Sequence, residues 1–331
     1  MGDLMALPVV RFGRTGWSVS RLGLGAGGPS RLGTRGSSDH SAFDSAVEVV
    51  RRSVDLGITL LDTAETYGTE PHVGAAIRDL PSSVRDKLVI CTKHAAVHDA
   101  EEPPRTGDEV VNAIEESLRV LGVDAIDLEQ VHGVEPREYD HVRSEIIPAL
   151  DRARAAGKIR CIGLTEMFQR DTTHETLGRV LDDAASGAPI ASIMVGHNLL
   201  NPSAREDVLP RAHELGVATL GMFAVRRAMS RPERLREVVA ELTPDPRFDE
   251  RLINGTDGEP LSWLLDYAET LPEASYRYCL TAPSPDVILC GTGSIDHLEA
   301  NVRAIERGPL PDEALARLRA AFGWVTSLTG H

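Results

Sequence analysis

Residues 60–70 read LLDTAETYGTE. Two leucines run into Asp62, and the loop behind them carries Tyr67 with Gly68 directly after it. A short apolar run that stops at a carboxylate has the profile of a buried strand ending at a polar rim. The profile recurs along the chain. Comparable runs are RLGLGA (21–26), TLLDTA (59–64), LVICTKH (88–94), AIDLEQVH (125–132), IRCIGLTE (159–166), ASIMVGHN (191–198), VATLGMFAV (217–225) and DVILCGTGS (286–294). Most are continuously apolar rather than alternating, the pattern of strands buried on both faces.

Segments with helical period lie between these runs. SDHSAFDSAVEVVRRSVDLG opens on Ser and Asp and closes on Gly57, and three further helices are expected to close at Gly122, Gly157 and Gly216. Polar caps at the start and glycine at the end are the usual helix punctuation. Strand and helix alternating eight times predict an α/β fold, a closed (β/α)8 TIM barrel of parallel strands. No linker divides the chain, so residues 1–331 are read as a single barrel domain. VVRFGRTGWSVSRL, ahead of the first barrel strand, reads as a β-hairpin that closes the barrel floor. About 226–285 form a long insert between the seventh and eighth strands. In it, RPERLREVVAEL and PLSWLLDYAE are expected to be helical, and loops of this length often wall a substrate site. Its aromatics Trp263, Tyr267, Tyr276 and Tyr278 suit helix packing better than sugar stacking.

Composition excludes several classes. The net charge of −15 over 331 residues argues against a nucleic-acid surface, and 42% hydrophobic with 26% charged residues fits a globular protein. No apolar run approaches the length of a membrane span. The opening MGDLMALPVVRFGRTGW lacks a charged segment followed by an apolar one, so a cytoplasmic protein without membrane contact is expected. Cys91, Cys161, Cys279 and Cys290 form no CxxC pair and are read as buried, reduced thiols. His94 and His98 beside Asp99 lack a third ligand, so no metal is expected. GLGAGG matches GxGxxG at Gly23, Gly25 and Gly28, but Pro29 and the loop SRLGTRGSS follow where a dinucleotide fingerprint requires a helix. These glycines are read instead as letting another group approach the top of the first strand closely.

Chemistry in such a barrel gathers where strands end. The second strand brings Asp62, with Tyr67 on its loop; the third ends near Lys93 and the fourth at His132. A free phenol has a pKa near ~10. A nearby ammonium favours the phenolate and makes the phenol the stronger acid. Asp62 can hold Lys93 charged and aimed, and His132 can orient a carbonyl oxygen. Together the four residues suit protonation of an oxygen as hydride reaches the adjacent carbon.

With these residues in view, the sequence resembles the aldo-keto reductase superfamily. The resemblance runs from FGRTGWSVSRLGLGAG to GTGSIDHLEANV, with LLDTAETYG, VICTK, QVHG and GKIRCIGLTE as its most specific pieces. It implies an NADP(H)-dependent oxidoreductase without a Rossmann domain. Its catalytic tetrad would be Asp62, Tyr67, Lys93 and His132, with Tyr67 as general acid. It also implies Thr165, Glu166 and Asn198 near the nicotinamide carboxamide, and Met222 and Phe223 where an aromatic commonly stacks on the ring. Gly25, Gly291, Thr292, Gly293, Ser294 and His297 would lie on the phosphate side, and Asn301 towards adenine. Three departures stand out. Met222 occupies the position of the stacking aromatic, with Phe223 next to it. Met194 occupies a position where many members have Gln. The segment GTGSIDH has no Arg or Lys to meet a 2′-phosphate, leaving His297 and, in the following helix, Arg303. The implied partner is a small sugar, a sugar-derived aldehyde or a simple carbonyl, reduced or oxidised. The alternative the resemblance admits is a nucleotide-sensing regulatory subunit without significant turnover.

Overall fold

The computed structural model describes residues 7–36, 39–98 and 102–330. A two-stranded antiparallel hairpin, β1 (Val9–Arg11) and β2 (Ser18–Ser20), comes first. Eight parallel strands follow: β3 (Leu22–Gly25), β4 (Leu60–Asp62), β5 (Val89–His94), β6 (Ile126–Val134), β7 (Ile159–Glu166), β8 (Ile190–Gly196), β9 (Ala218–Met222) and β10 (Val287–Cys290). They form a closed barrel in chain order, and β10 pairs with β3 to complete the ring. Every run marked in the sequence holds one barrel strand.

The intervening helices end as their sequences dictate. The helix His40–Asp55 is capped by Asp39, whose side chain accepts from the Ala42 N–H. The helix Gly107–Leu121 begins with a reciprocal capping box between Thr106 and Glu109, and stops at Gly122 in left-handed backbone. The insert departs from expectation. PLSWLLDYAE coils only as a 3-10 turn over Ser262–Asp266. Leu261 enters it in left-handed backbone at φ 60, and the buried Trp263 indole donates to the Ile253 carbonyl at 3.1 Å. That anchor sets the chain's course more firmly than local helical preference. The insert's second long helix is instead Leu271–Cys279, capped by Thr270, a segment the apolar pattern did not mark. Trp263, Tyr276 and Tyr278 are buried there as packing residues. Cys161 is only partly buried, unlike Cys91, Cys279 and Cys290, and all four are free thiols.

Two apolar cores position the rim. The larger fills the layer between barrel and helices. The smaller sits inside the barrel, where Leu60, Val89, Leu128, Ala218, Leu220 and Val287 meet Phe12 and Val19 of the hairpin. The hairpin caps the end where strands begin: the Arg14 guanidinium donates to the Ile190 carbonyl at 2.9 Å, and the Ser20 N–H to Thr59 at 2.9 Å. The floor is therefore closed with hydrocarbon, and the polar residues of the strands are confined to the opposite mouth.

Phe12 is fully buried in this plug. Phe12→Ala is expected to cost about 3–5 kcal/mol of stability in urea denaturation. Turnover per folded molecule should be unchanged, since the mouth lies at the other end.

Candidate active site

The site begins with a charge inside the barrel. Lys93, on β5, has no solvent exposure. Its Nζ lies 2.8 Å from both Oδ1 and Oδ2 of Asp62, the last residue of β4, and donates to the Thr63 carbonyl at 2.7 Å. Burial works against the Lys93 ammonium and is the largest single effect, yet Asp62 together with Tyr67 and Cys91 outweighs it and leaves the Lys93 pKa raised. Burial raises the Asp62 carboxyl as well, and Lys93 pulls it back. At this separation the pair is an ion pair, each charge the condition for the other.

Tyr67 closes a 3-10 turn, Glu65–Tyr67, that leaves through Gly68 in left-handed backbone. This turn brings the phenol back over the lysine, with Lys93 Nζ 4.9 Å from the ring centroid. Two contacts hold the turn. Arg105 bonds Glu65 at 2.9 Å from the loop after β5. Gly27, on the loop after β3, leaves room for the phenol: a Cβ there would lie 2.3 Å from Tyr67 Cε2. The close approach expected of the glycine-rich stretch is thus made at Gly27, outside the GxGxxG spacing.

The Tyr67 hydroxyl meets His132 Nε2 at 3.2 Å, with the rings edge to face. His132 sits where the β6–β7 register shifts, between Val131 and Val134. Gly133 follows it in left-handed backbone at φ 62. An irregularity of this kind re-aims a side chain that a regular strand would point elsewhere. The Gly133 N–H donates to the Thr165 hydroxyl at 2.6 Å, which pins the bulge to β7.

The electrostatics correct one sequence expectation. Lys93 does pull the Tyr67 pKa down, but burial is the larger effect, and the phenol stands above its ordinary value. Burial, with Lys93 and His94 nearby, holds His132 down to about 3. At neutral pH the site therefore pairs a protonated phenol with a neutral imidazole. The phenol is the group with a proton to give.

The other candidate residues are distributed as follows. Glu166 ends β7 fully buried, accepting from His174 Nδ1 at 2.9 Å and from the Gly196 N–H at 2.7 Å, so it ties β7 to β8. Asn198 is buried just past β8; its Oδ1 accepts from the Leu200 and Asn201 N–H groups at 3.0 Å, and its Nδ2 has no partner among the described residues. Met222 ends β9, and Phe223 follows in left-handed backbone at φ 70, 6.0 Å from the Phe168 ring. Gly25, Gly291 and Gly293 gather where β3 and β10 end, and Ser294 caps the helix Ile295–Glu306 by accepting from the His297 N–H at 3.3 Å. Thr292 is buried and His297 exposed, while Asn301 packs at the Cys290 thiol. Met194 belongs to the apolar core of the barrel. Both ring nitrogens of His94 are engaged, by Glu129 at 2.9 Å and Ser117 at 3.1 Å; Asp99 lies outside the described residues. Sequence reasoning missed Gly27, Arg105 and Thr63. Only Gly27 carried a signal, its place in a run of glycines.

Comparison with known proteins gives a consistent picture. The model of the "Aldo/keto reductase family" matches residues 21–322. The chain is 29% identical over 303 residues to the aldo-keto reductase YhdN of Bacillus subtilis, covering 86% of this chain and 85% of that one. It is 26% identical to the L-galactose dehydrogenase of Arabidopsis thaliana, covering 96% and 95%. Among solved structures, an aldo-keto reductase from Bacillus halodurans in its holo form superposes with a TM-score of 0.69 at 25% identity, over 98% of this chain and 100% of that one. An aldo-keto reductase from Klebsiella pneumoniae in complex with NADPH gives 0.67 at 24% identity, over 96% of each.

His197 offers a test of the electrostatics behind the rim. It is buried with both ring nitrogens unpartnered among the described residues, and burial, with Arg205 and His174 nearby, holds it down to about 3. In the unfolded chain it titrates near 6.5. Between those values the unfolded state binds the extra proton, so stability is full above pH 6.5 and lost as pH falls towards 3. His197→Leu is expected to make the loss of unfolding free energy between pH 6 and pH 4 shallower by about 1.4 kcal/mol per pH unit. Urea titrations at several pH values would read it, and equal slopes would refute it.

Proposed function

This chain belongs to the aldo/keto reductase family, and from that premise we propose that it is an NADP(H)-dependent oxidoreductase acting on a carbonyl or sugar hydroxyl through Tyr67. The observation that carries the reading is the chain of contacts from Asp62 through Lys93 to Tyr67 and His132 at one barrel mouth. The residues around it suit a dinucleotide. Asn198 Nδ2 is a buried donor with no acceptor among the described residues, as the carboxamide of a nicotinamide requires. The exposed glycines 291 and 293, beside a capped helix start, leave backbone N–H groups for phosphate oxygens.

When bound, a reduced nicotinamide supplies a hydride to the carbonyl carbon. Tyr67 gives its proton to the carbonyl oxygen as charge develops there. Lys93, its charge secured by Asp62, stabilises the phenolate left behind. His132, neutral, accepts from or donates to the phenol and the substrate oxygen according to its tautomer, and so orients both without adding a competing acid. Run in reverse, the phenolate removes the hydroxyl proton of a sugar as hydride departs. The glycine at 27 keeps the phenol in place throughout.

Tyr67→Phe removes one hydroxyl and is expected to lower kcat by on the order of 10² or more, with the affinity for NADPH unchanged. A panel of aldehydes, ketones and sugars with NADPH, NADH, NADP and NAD would identify the substrate on which to measure it. Near-normal kcat for this variant would overturn the role of Tyr67. A protein that binds NADPH but turns over no member of the panel would instead favour the nucleotide-sensing alternative. Gly27→Ala places a methyl against the phenol, and a displacement of about 1 Å is expected to cost on the order of 10²-fold in kcat with little change in cofactor affinity.

A further inference from the structure

A thiol and an amide, both fully buried, sit beside the ion pair of the site. Asp62 and Cys91 are direct partners in the pairing of β4 with β5, and Cys91 belongs to the core inside the barrel. The two oxygens of Asp62 are not equally held. Oδ2 accepts a well-directed hydrogen bond from Lys93 Nζ at 2.8 Å. Oδ1 lies at the same distance from Nζ, yet it has no well-directed hydrogen bond among the described residues. A buried carboxylate oxygen in that condition calls for a second donor. The group opposite it is the Cys91 thiol.

The thiol is itself held from the far side. Gln130, the partner of Lys93 in the pairing of β5 with β6, reaches back and donates from Nε2 to Cys91 Sγ at 3.0 Å. Gly163, the partner of Gln130 on β7, leaves the space for it: a Cβ there would lie 2.9 Å from Gln130 Cγ. With the sulfur accepting from the amide, its proton turns to another acceptor. The Thr92 carbonyl lies at 4.0 Å, and the Asp62 carboxylate stands opposite. Charge decides for the carboxylate, because a hydrogen bond to an ionised acceptor is roughly twice as strong as a neutral one. Burial raises the Asp62 carboxyl, and Lys93, then the thiol, draw it back. Burial, with Asp62 opposite, pushes the Cys91 thiol well above its ordinary value, so the proton stays on sulfur.

We propose that Cys91 and Gln130 are positioning residues for the Asp62–Lys93 pair, a one-way chain of donors from amide to thiol to carboxylate that aims Asp62 from inside the barrel. The proposal rests on the role given to Tyr67 above and adds what fixes the pair beneath it. Donors that all run one way polarise one another, so the last of them, at the carboxylate, is the strongest. The other titratable groups around Asp62 are Lys93 on β5, Tyr67 on the loop after β4 and, past Tyr67, His132 on β6; its partner on β3 is Gly25, which brings none.

Infrared spectroscopy reads the contact, and kinetics reads the role. The S–H stretching band of Cys91, isolated as the difference between wild type and Cys91→Ser, is expected at the lowered frequency of a donating thiol and should move in Gln130→Met. Cys91→Ala is expected to lower kcat about tenfold and to move the acid limb of its pH profile up by about one unit, because the ionised carboxylate has lost a donor. KM and the affinity for NADPH should not change. Cys91→Ser keeps a donor in place and should restore both kcat and the limb. Circular dichroism and thermal unfolding would confirm that the variants fold. A band at the frequency of a free thiol, or one unmoved in Gln130→Met, overturns the proposal. So does a Cys91→Ala protein with the kcat and pH profile of wild type, or a Cys91→Ser protein as impaired as Cys91→Ala, which would leave Cys91 a packing residue. A wild-type protein that turns over no substrate counts against the oxidoreductase reading instead; the band is read without turnover and still decides whether the thiol holds Asp62.

Discussion

Lys93 carries a full charge to a place with no water. A buried ammonium is tolerated only where a partner and further acceptors replace its hydration. Here Asp62 meets it with both oxygens and the Thr63 carbonyl accepts a further hydrogen bond from Nζ. Much of the architecture answers to that pair. The two residues must arrive on adjacent strands in fixed register, which the pairing of β4 with β5 provides. The strands must end together at one mouth, and the other mouth must be sealed with hydrocarbon. Removing either partner strands a buried charge, a loss of several kcal/mol that would fall on stability before it fell on catalysis.

The phenol above the lysine shows how opposed effects settle. Taken as a pair, ammonium and phenol imply a lowered pKa. In the folded protein, desolvation outweighs the attraction and the phenol is held protonated. The imidazole beside it is pushed the opposite way, towards neutrality, by the same burial. Environment has separated two groups with nearby chemistry into one that holds its proton and one that does not. That separation is what an acid needs from its surroundings.

What the sequence made legible, and what it did not, follows from range. Strands buried on both faces announce themselves as continuous apolar runs, so the barrel and the strand ends bearing Asp62, Lys93 and His132 were readable locally. So were the capped helices, whose signals lie within a turn. The contact between Gly27 and Tyr67 joins loops on different strands, and its one local trace is the run of glycines in which Gly27 lies. The bulge that aims His132 depends on β7 through Thr165. In the insert, one indole hydrogen bond at Trp263 overrode a helical pattern. The sign of the Tyr67 shift was missed for the same reason, because burial is a property of the whole fold.

The ring closes between β3 and β10, whose partners Leu22 and Ile288 stand at opposite ends of the chain. During synthesis the barrel therefore remains an open sheet until nearly all of it has been made. For that period β3 presents a bare parallel edge, a template for pairing with other chains. Pairing across such a sequence separation also makes folding slow, because the loop must be ordered before the contact rewards it. A nascent chain stalled in the long insert would expose two unsatisfied edges at once. The joint that makes the finished barrel edge-free is thus the last to form, and until it does the molecule is at its most vulnerable to aggregation.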